Sequence, residues 1–293
     1  MNPRAVGYMV ISSAAFAVMY VLAKQLSHYG GYQLTFFRGV GTFVLAAAYL
    51  LSRGVSLGGK HPRLLALRGL TGGASLLLFF IAIDFVPVTA AVAIRYLSPF
   101  FAVLIAAVWL REHVRPIQWV YLAVAFAGVL LLKGFDGRIG GTGLALILAS
   151  AVLGGITFAI IRRLGTSEHP LVIVCYFTGT ATLLGLVGML VAPQGYTTPL
   201  PTDWLPLLAL GVVGLVGQIF MTIAMQTENA SRVMPLKYLE TVFLLGLGIV
   251  YLEETYGAVA FLGMLLIVVG NVANVFSRKR YPNTSASKAS SST

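Results

Sequence analysis

The sequence predicts an all-α integral membrane protein with ten transmembrane helices, arranged as two inverted five-helix repeats with both termini cytoplasmic. Three observations carry this expectation. The 293-residue chain is 58% hydrophobic and only 10% charged, a balance foreign to water-soluble domains. Ten apolar stretches are each long enough to cross a hydrocarbon core of about 30 Å. A short phrase also occurs twice: Ile94-Arg95-Tyr96-Leu97 and Leu236-Lys237-Tyr238-Leu239 stand 142 residues apart, and a match at fixed offset marks a duplicated unit.

The spans lie near 5–26, 32–52, 64–84, 88–110, 116–133, 142–163, 170–192, 204–226, 230–252 and 256–277. The breaks between them are short and carry Gly, Pro or charge, as at Gly58-Gly59-Lys60-His61-Pro62 and Ala192-Pro193-Gln194-Gly195. A helical bundle follows, because backbone polar groups in lipid must be satisfied within helices or closed barrels. Met1-Asn2-Pro3-Arg4 leads straight into the first span, and the apolar run continues past Ser13-Ala14-Ala15. That stretch is therefore read as a retained helix rather than a cleaved leader. Residues 278–293 are Ser-, Ala- and Lys-rich and are expected to form a disordered cytoplasmic tail.

Orientation follows from the Lys/Arg bias. With the N-terminus inside, fourteen of the twenty cations fall on the cytoplasmic side, Arg63, Arg68, Arg111 and Arg163 among them. Lys24, Lys133 and Arg138 fall outside, and Arg38, Arg95 and Lys237 lie within spans.

The repeat extends beyond the phrase. At the same offset Gly72 meets Gly214, Ala82 meets Ala224, Phe101 meets Phe243, Glu112 meets Glu254 and Gly128 meets Gly270. The halves divide as residues 1–135 and 136–277. Five spans is an odd number, so the second half enters the membrane in the opposite sense to the first. That is the inverted-repeat plan of many secondary transporters, whose site lies near the midplane between the halves.

Several other chemistries are excluded. The net charge of +11 flanks apolar spans instead of forming a basic patch with interleaved aromatics, so no nucleic-acid partner is expected. A single cysteine, Cys175, gives neither a disulfide framework nor a thiolate metal site. His28, His61, His113 and His169 fall in separate loops, so no metal or other cofactor is implied. Gly54-x-x-x-x-Gly59-Lys60 imitates a phosphate loop, but His61 stands where Ser or Thr is needed.

With ten spans, two inverted halves, and fourth and ninth helices closing on Trp109-Leu110-Arg111-Glu112 and Tyr251-Leu252-Glu253-Glu254, the chain resembles the drug/metabolite transporter superfamily. The nearer likeness is to its EamA-type group of metabolite and amino-acid exporters, over residues 5–277. The matching motifs are loose: an acidic residue after the fourth and ninth spans, glycines in the third, fifth, eighth and tenth, and Arg38 in the second. The resemblance implies a plasma-membrane (bacterial inner-membrane) exporter of small metabolites, most like the amino-acid exporters.

The residues that could carry transport start with the repeated cations. Arg95 and Lys237 each lie about seven residues into a span, roughly 6 Å from the midplane at the helical rise. Their spans run oppositely, so the two cations straddle that plane and could grip an anionic group. Intramembrane charges are expensive and usually functional; the plainer reading is that Arg95 snorkels to the outer face and Lys237 pairs with Glu240. Glu240 shares a helical face with Lys237, and together they would suit a zwitterionic amino acid or a coupled proton. Its counterpart in the first half is Ser98.

Tyr96 and Tyr238 follow the cations directly. Adjacent helical residues diverge by about 100°, so a Tyr and its neighbouring cation are not expected to point into one cavity together. Tyr20, Phe79, Gln218 and Thr157 complete the substrate-binding candidates, with Phe16, Met19, Phe80, Phe158, Met221 and Thr222 as further lining. Arg38 is read as structural or gating, either neutralising Asp84 or binding helix-end carbonyls. Pro99 and Pro235 are candidate flexible points, and Gly214 and Gly217 are read as allowing close helix approach.

The expected function is alternating-access transport of small metabolites, most like amino acids, with membrane lipid as the other partner. The alternative is a carrier of anionic metabolites or vitamins, favoured if Arg95 and Lys237 face the cavity without Glu240. A membrane enzyme would cluster His, Asp or Ser at one face, and a structural partner would need neither central cations nor matched halves. Oligomeric state is not encoded in any pattern along the chain.

Overall fold

Among the described residues, proline and glycine punctuate an almost wholly helical structure. The computed structural model describes residues 3–98, 101, 104–105, 117, 120, 123–124, 127–128, 131, 139–192, 196–227, 236–237, 239–253 and 257–277. The expectations for Tyr238, Pro99, Pro235, Trp109-Leu110-Arg111-Glu112, Glu254 and the 278–293 tail lie outside the described residues.

Among the described residues nine α-helices form: α1 Pro3–Gln25, α2 Gly30–Ser52, α3 Pro62–Ala82, α4 Val88–Arg95, α5 Gly141–Leu164, α6 Pro170–Val191, α7 Trp204–Thr227, α8 Leu239–Tyr251 and α9 Ala258–Ser277. Six segments are long and apolar enough to span a membrane: Pro3–Gln25, Ser27–Ser52, Pro62–Ala82, Gly141–Ile161, Pro170–Val191 and Pro201–Ala224. Shorter apolar helices run over Val242–Tyr251 and Phe261–Gly270. The chain is thus an all-α membrane protein.

Helix starts follow local chemistry. Pro62 and Pro170 occupy the first turns of α3 and α6, where a missing N–H costs nothing. The His169 ring nitrogen accepts the Leu171 N–H at 3.2 Å at the head of α6. Glu168 reaches across from the α5–α6 connection and accepts the backbone N–H groups of Lys60 and His61, at 2.7 and 2.6 Å, just before α3. Gly165, at φ +52°, ends α5 in a conformation that L side chains rarely adopt.

The first half of the chain packs on the second. Helix α1 lies on α7 and α8, α2 on α6 and α7, α3 on α5 and α6, and α4 on α5, α8 and α9. Helix association in lipid lacks a hydrophobic drive and relies on small residues and interhelical hydrogen bonds. Both are present. A Cβ on Gly211 would stand 3.0 Å from Gly41 Cα, and Thr42 Oγ1 donates to Gly211 O at 2.9 Å. Ser75 and Ser150 exchange hydroxyl-to-carbonyl hydrogen bonds of 2.8 and 2.7 Å between α3 and α5. Outward faces carry Leu183, Leu190, Leu205 and Val250, all more than 60% exposed, as a lipid-facing surface requires.

The α1–α2 end of the bundle is tied to the segment before α7. Tyr29 Oη donates to Asp203 at 2.7 Å and accepts the Leu200 N–H at 2.9 Å. Gln33 and Thr197 exchange two further hydrogen bonds, and Lys24 Nζ donates to the Ile83 carbonyl. The Glu168 contacts close the opposite end of α2.

Candidate functional site

These helix pairings leave a cavity in the middle of the bundle. It is lined by Phe16, Met19 and Tyr20 of α1, Arg38 of α2, and Arg68, Gly72, Ser75 and Leu76 of α3. Val92, Arg95, Tyr96 and Ser98 enter from α4 and the turn after it. The remaining wall is Gly154, Thr157, Phe158, Phe177, Gln218, Met221, Lys237 and Glu240. Both halves of the chain therefore contribute.

Arg95 donates to Tyr20 Oη at 3.2 Å and to Ser75 Oγ at 3.4 Å, and its guanidinium stands 4.8 Å from the Phe79 ring centroid. It is held inside rather than reaching for an interface. Lys237 Nζ forms a 2.8 Å ion pair with Glu240 and lies 4.9 Å from the Phe16 ring and 5.9 Å from the Tyr96 ring. Glu240 is 1% exposed, and Tyr20, the partner of Arg95, lines the same cavity.

Tyr96 and Arg95 both line the cavity, contrary to the expectation from helical stagger. The reason is local. Helix α4 stops at Arg95, and the Tyr96 N–H is shared between the Val92 and Ala93 carbonyls at 3.2 Å each. The turn tightens there, with Tyr96 at ψ 0°, so the regular 100° step no longer applies. Ser98 Oγ occupies the Arg95 carbonyl at 2.7 Å. Tyr96 Oη donates to the Lys237 carbonyl at 2.9 Å.

Other candidates take different places. Phe79 is fully buried behind the wall, against Arg95 and, at 5.0 Å between ring centroids, Tyr20. Thr157 is on the wall, with its hydroxyl 2.9 Å from Thr71 Oγ1. Gln218 presents a buried side-chain nitrogen with no hydrogen-bond partner among the described residues. A Cβ on Gly214 would stand 3.2 Å from Arg38 Nε, and one on Gly217 2.9 Å from the Phe16 ring. These two glycines make room for cavity side chains as much as for helix approach.

Among the described residues Arg38 neither neutralises Asp84 nor binds helix-end carbonyls. Its Nε contacts Met19 Sδ at 3.0 Å and its guanidinium lies 5.2 Å from the Phe177 ring centroid. Asp84 is exposed in the turn after α3. Arg68, expected as a cytoplasmic flanking charge, is instead 3% exposed and 4.7 Å from the same Phe177 ring. Its place near the start of a span hid it from charge counting. The repeat contained a signal: Gly72, one turn beyond Arg68, matches Gly214, which accommodates Arg38.

Four cations therefore share the wall with one carboxylate, Glu240. Among the described residues no group of three His, Cys, Asp or Glu could hold a metal. The arrangement offers guanidinium and ammonium donors for carboxylates, a carboxylate for an ammonium group, and aromatic faces for the remainder of a small molecule.

The family model for EamA-like transporters matches residues 3–133 and 141–276. The pseudopaline exporter CntI of Pseudomonas aeruginosa is 33% identical over 270 residues, covering 90% of this chain and 93% of that protein. Human solute carrier family 35 member G1 is 26% identical over 296 residues, 94% of this chain and 80% of its own. The riboflavin transporter of Rhizobium johnstonii is 31% identical over 151 residues, 51% of this chain and 49% of its own. A solved crystal structure superposes with a TM-score of 0.67 at 22% identity, covering 94% of this chain and 98% of the other, which speaks to the fold.

Proposed function

Since this chain belongs to the EamA-like transporter family, we propose that it exports a small amino-acid-type metabolite across the bacterial inner membrane, binding it in the central cavity. The family is one of transporters, not enzymes. In this reading ten spans form two inverted five-helix halves, residues 1–135 and 136–277, with both termini cytoplasmic, and alternating access moves one half against the other around a fixed site.

The observation that carries the substrate class is the convergence of Arg95 with the Lys237–Glu240 pair on one cavity. Arg95 takes a carboxylate in the bidentate geometry guanidinium favours. Glu240 takes the ammonium in competition with Lys237, and Tyr20 lines the same wall beside Arg95. A few convergent polar groups set among aromatic walls are the usual make-up of a small-molecule site. Differential binding to inward- and outward-open states supplies the bias between them.

The aromatic walls at Phe16, Tyr20, Tyr96, Phe158 and Phe177 favour a second reading, a carrier of anionic ring-bearing metabolites such as vitamins.

Counterflow in proteoliposomes tests the proposal. Vesicles preloaded with a panel of amino acids and their carboxylated derivatives are offered the radiolabelled compound outside. Uptake above empty vesicles that collapses in folded Lys237→Ala protein is expected. Counterflow of flavins but of no amino-acid-type compound would move the assignment to the second reading.

A further inference from the structure

The amino-acid-type reading leaves two arginines without work. Arg38 and Arg68 are 2% and 3% exposed. Arg38 Nη1 and both Nε and Nη1 of Arg68 are buried with no hydrogen-bond partner among the described residues. Arg38 Nε faces only Met19 Sδ, a weak acceptor. The two guanidiniums share the ring of Phe177, at 5.2 and 4.7 Å, and no ion pair to either occurs among the described residues.

Two like charges held against one apolar ring repel each other and are poorly solvated, a costly arrangement unless an anion joins them. Space is reserved for them. A Cβ on Gly72 would collide with Arg68 Nη1 and stand 2.9 Å from Phe177, and one on Gly214 would crowd Arg38. Gly72 and Gly214 are the same position in the two repeats, so both halves leave a gap for an arginine. Nearby, the Gln218 side-chain nitrogen is also buried and unpartnered.

We propose that Arg38 and Arg68, seated on Phe177, form a second anion subsite for a further carboxylate of the transported molecule. The subsite selects amino-acid derivatives bearing two or three carboxylates over simple zwitterions. This rests on the proposed amino-acid-type function and deepens it. A neutral zwitterion leaves the excess positive charge of the cavity unbalanced. A tricarboxylate monoamine supplies one carboxylate to Arg95, its amine to Glu240, and the remainder to the Arg38–Arg68 pair, where fork-to-carboxylate geometry is strongest.

The test is equilibrium binding to the purified full-length protein in lipid nanodiscs, with four probes: L-alanine, L-glutamate, N-(carboxymethyl)-L-glutamate and inorganic phosphate. Wild type is expected to bind the tricarboxylate at least about tenfold more tightly than L-alanine, as charge-assisted pairing predicts. Arg68→Gln and Arg38→Gln should each cost the tricarboxylate more affinity than they cost L-alanine, cutting the preference to about twofold, because the lost fork serves the extra carboxylate. Arg68→Lys should keep the fold and part of the preference, and Lys237→Ala should weaken all amino-acid probes alike.

Equal loss for alanine and the tricarboxylate in Arg68→Gln, with Arg68→Lys unaffected, would overturn the subsite and leave a structural role. So would wild-type binding of alanine with no gain from added carboxylates, which spares the function it rests on. Phosphate binding alongside alanine without displacing it, combined with no tricarboxylate preference, would assign the pair to a free oxyanion instead. Failure of every amino-acid probe on wild type would overturn the underlying function itself.

Discussion

Tyr96 Oη donates a 2.9 Å hydrogen bond to the backbone carbonyl of Lys237, so the two copies of the repeated phrase touch across the cavity. The contact fixes the carbonyl of the residue that carries the ion pair with Glu240. Tyr96→Phe removes the donor and keeps the ring. A net loss of about 1 kcal/mol should appear as an approximately fivefold weaker apparent affinity in counterflow, with little change in thermal midpoint. Unchanged affinity would make the contact incidental to transport.

The Lys237–Glu240 pair makes a different prediction. Glu240 is almost wholly buried, so Lys237→Met leaves an uncompensated carboxylate and should destabilise the protein by about 3–5 kcal/mol. Lys237→Met with Glu240→Gln removes both charges and should recover most of the thermal midpoint without recovering counterflow. Melting curves of both proteins in detergent, run beside the transport assay, separate the stabilising role of the pair from its role in binding.

Pattern along the chain points to some of the residues that line the cavity, and it hides others for identifiable reasons. The fixed offset drew attention to Arg95 and Lys237 because duplication preserves spacing, and both line the cavity. Arg68 escaped because a cation near the start of a span has the same sequence appearance whether it snorkels outward or turns inward. Only the tertiary position of Phe177 decides between these. Tyr96 departs from the stagger of an unbroken helix because α4 stops at Arg95. Phe79 lies one layer behind the cavity wall, a depth that helical period, which assigns only a face, does not encode.

Away from the cavity, Glu168 accepts the N–H groups of Lys60 and His61 and so joins the α2–α3 loop to the α5–α6 connection. Two orphan donors lose their acceptor in Glu168→Ala. The cost should be about 1–2 kcal/mol, as for a lost helix cap. Limited trypsinolysis at Lys60 and Arg63 provides a local readout: the variant should be cut faster there, while cleavage at other sites keeps the wild-type rate. Glu168→Gln, which retains one acceptor oxygen, should fall between the two.

Close helix approach can be tested by a single methyl group in two settings. At Gly185 of α6 a Cβ would stand 2.6 Å from Phe36 N and 2.8 Å from Tyr32 O. These are backbone atoms of α2 that can move only if the helices part. Gly185→Ala should therefore destabilise by about 1–3 kcal/mol, the usual range for overpacking. At Gly7 of α1 a Cβ meets nothing within 4 Å among the described residues, and Gly7→Ala should be neutral or stabilising by up to about 1 kcal/mol through helix propensity. Thermal midpoints of the two variants, measured in the same detergent, should move apart. If they shifted together, the close approach of α2 and α6 would not be what holds this side of the bundle.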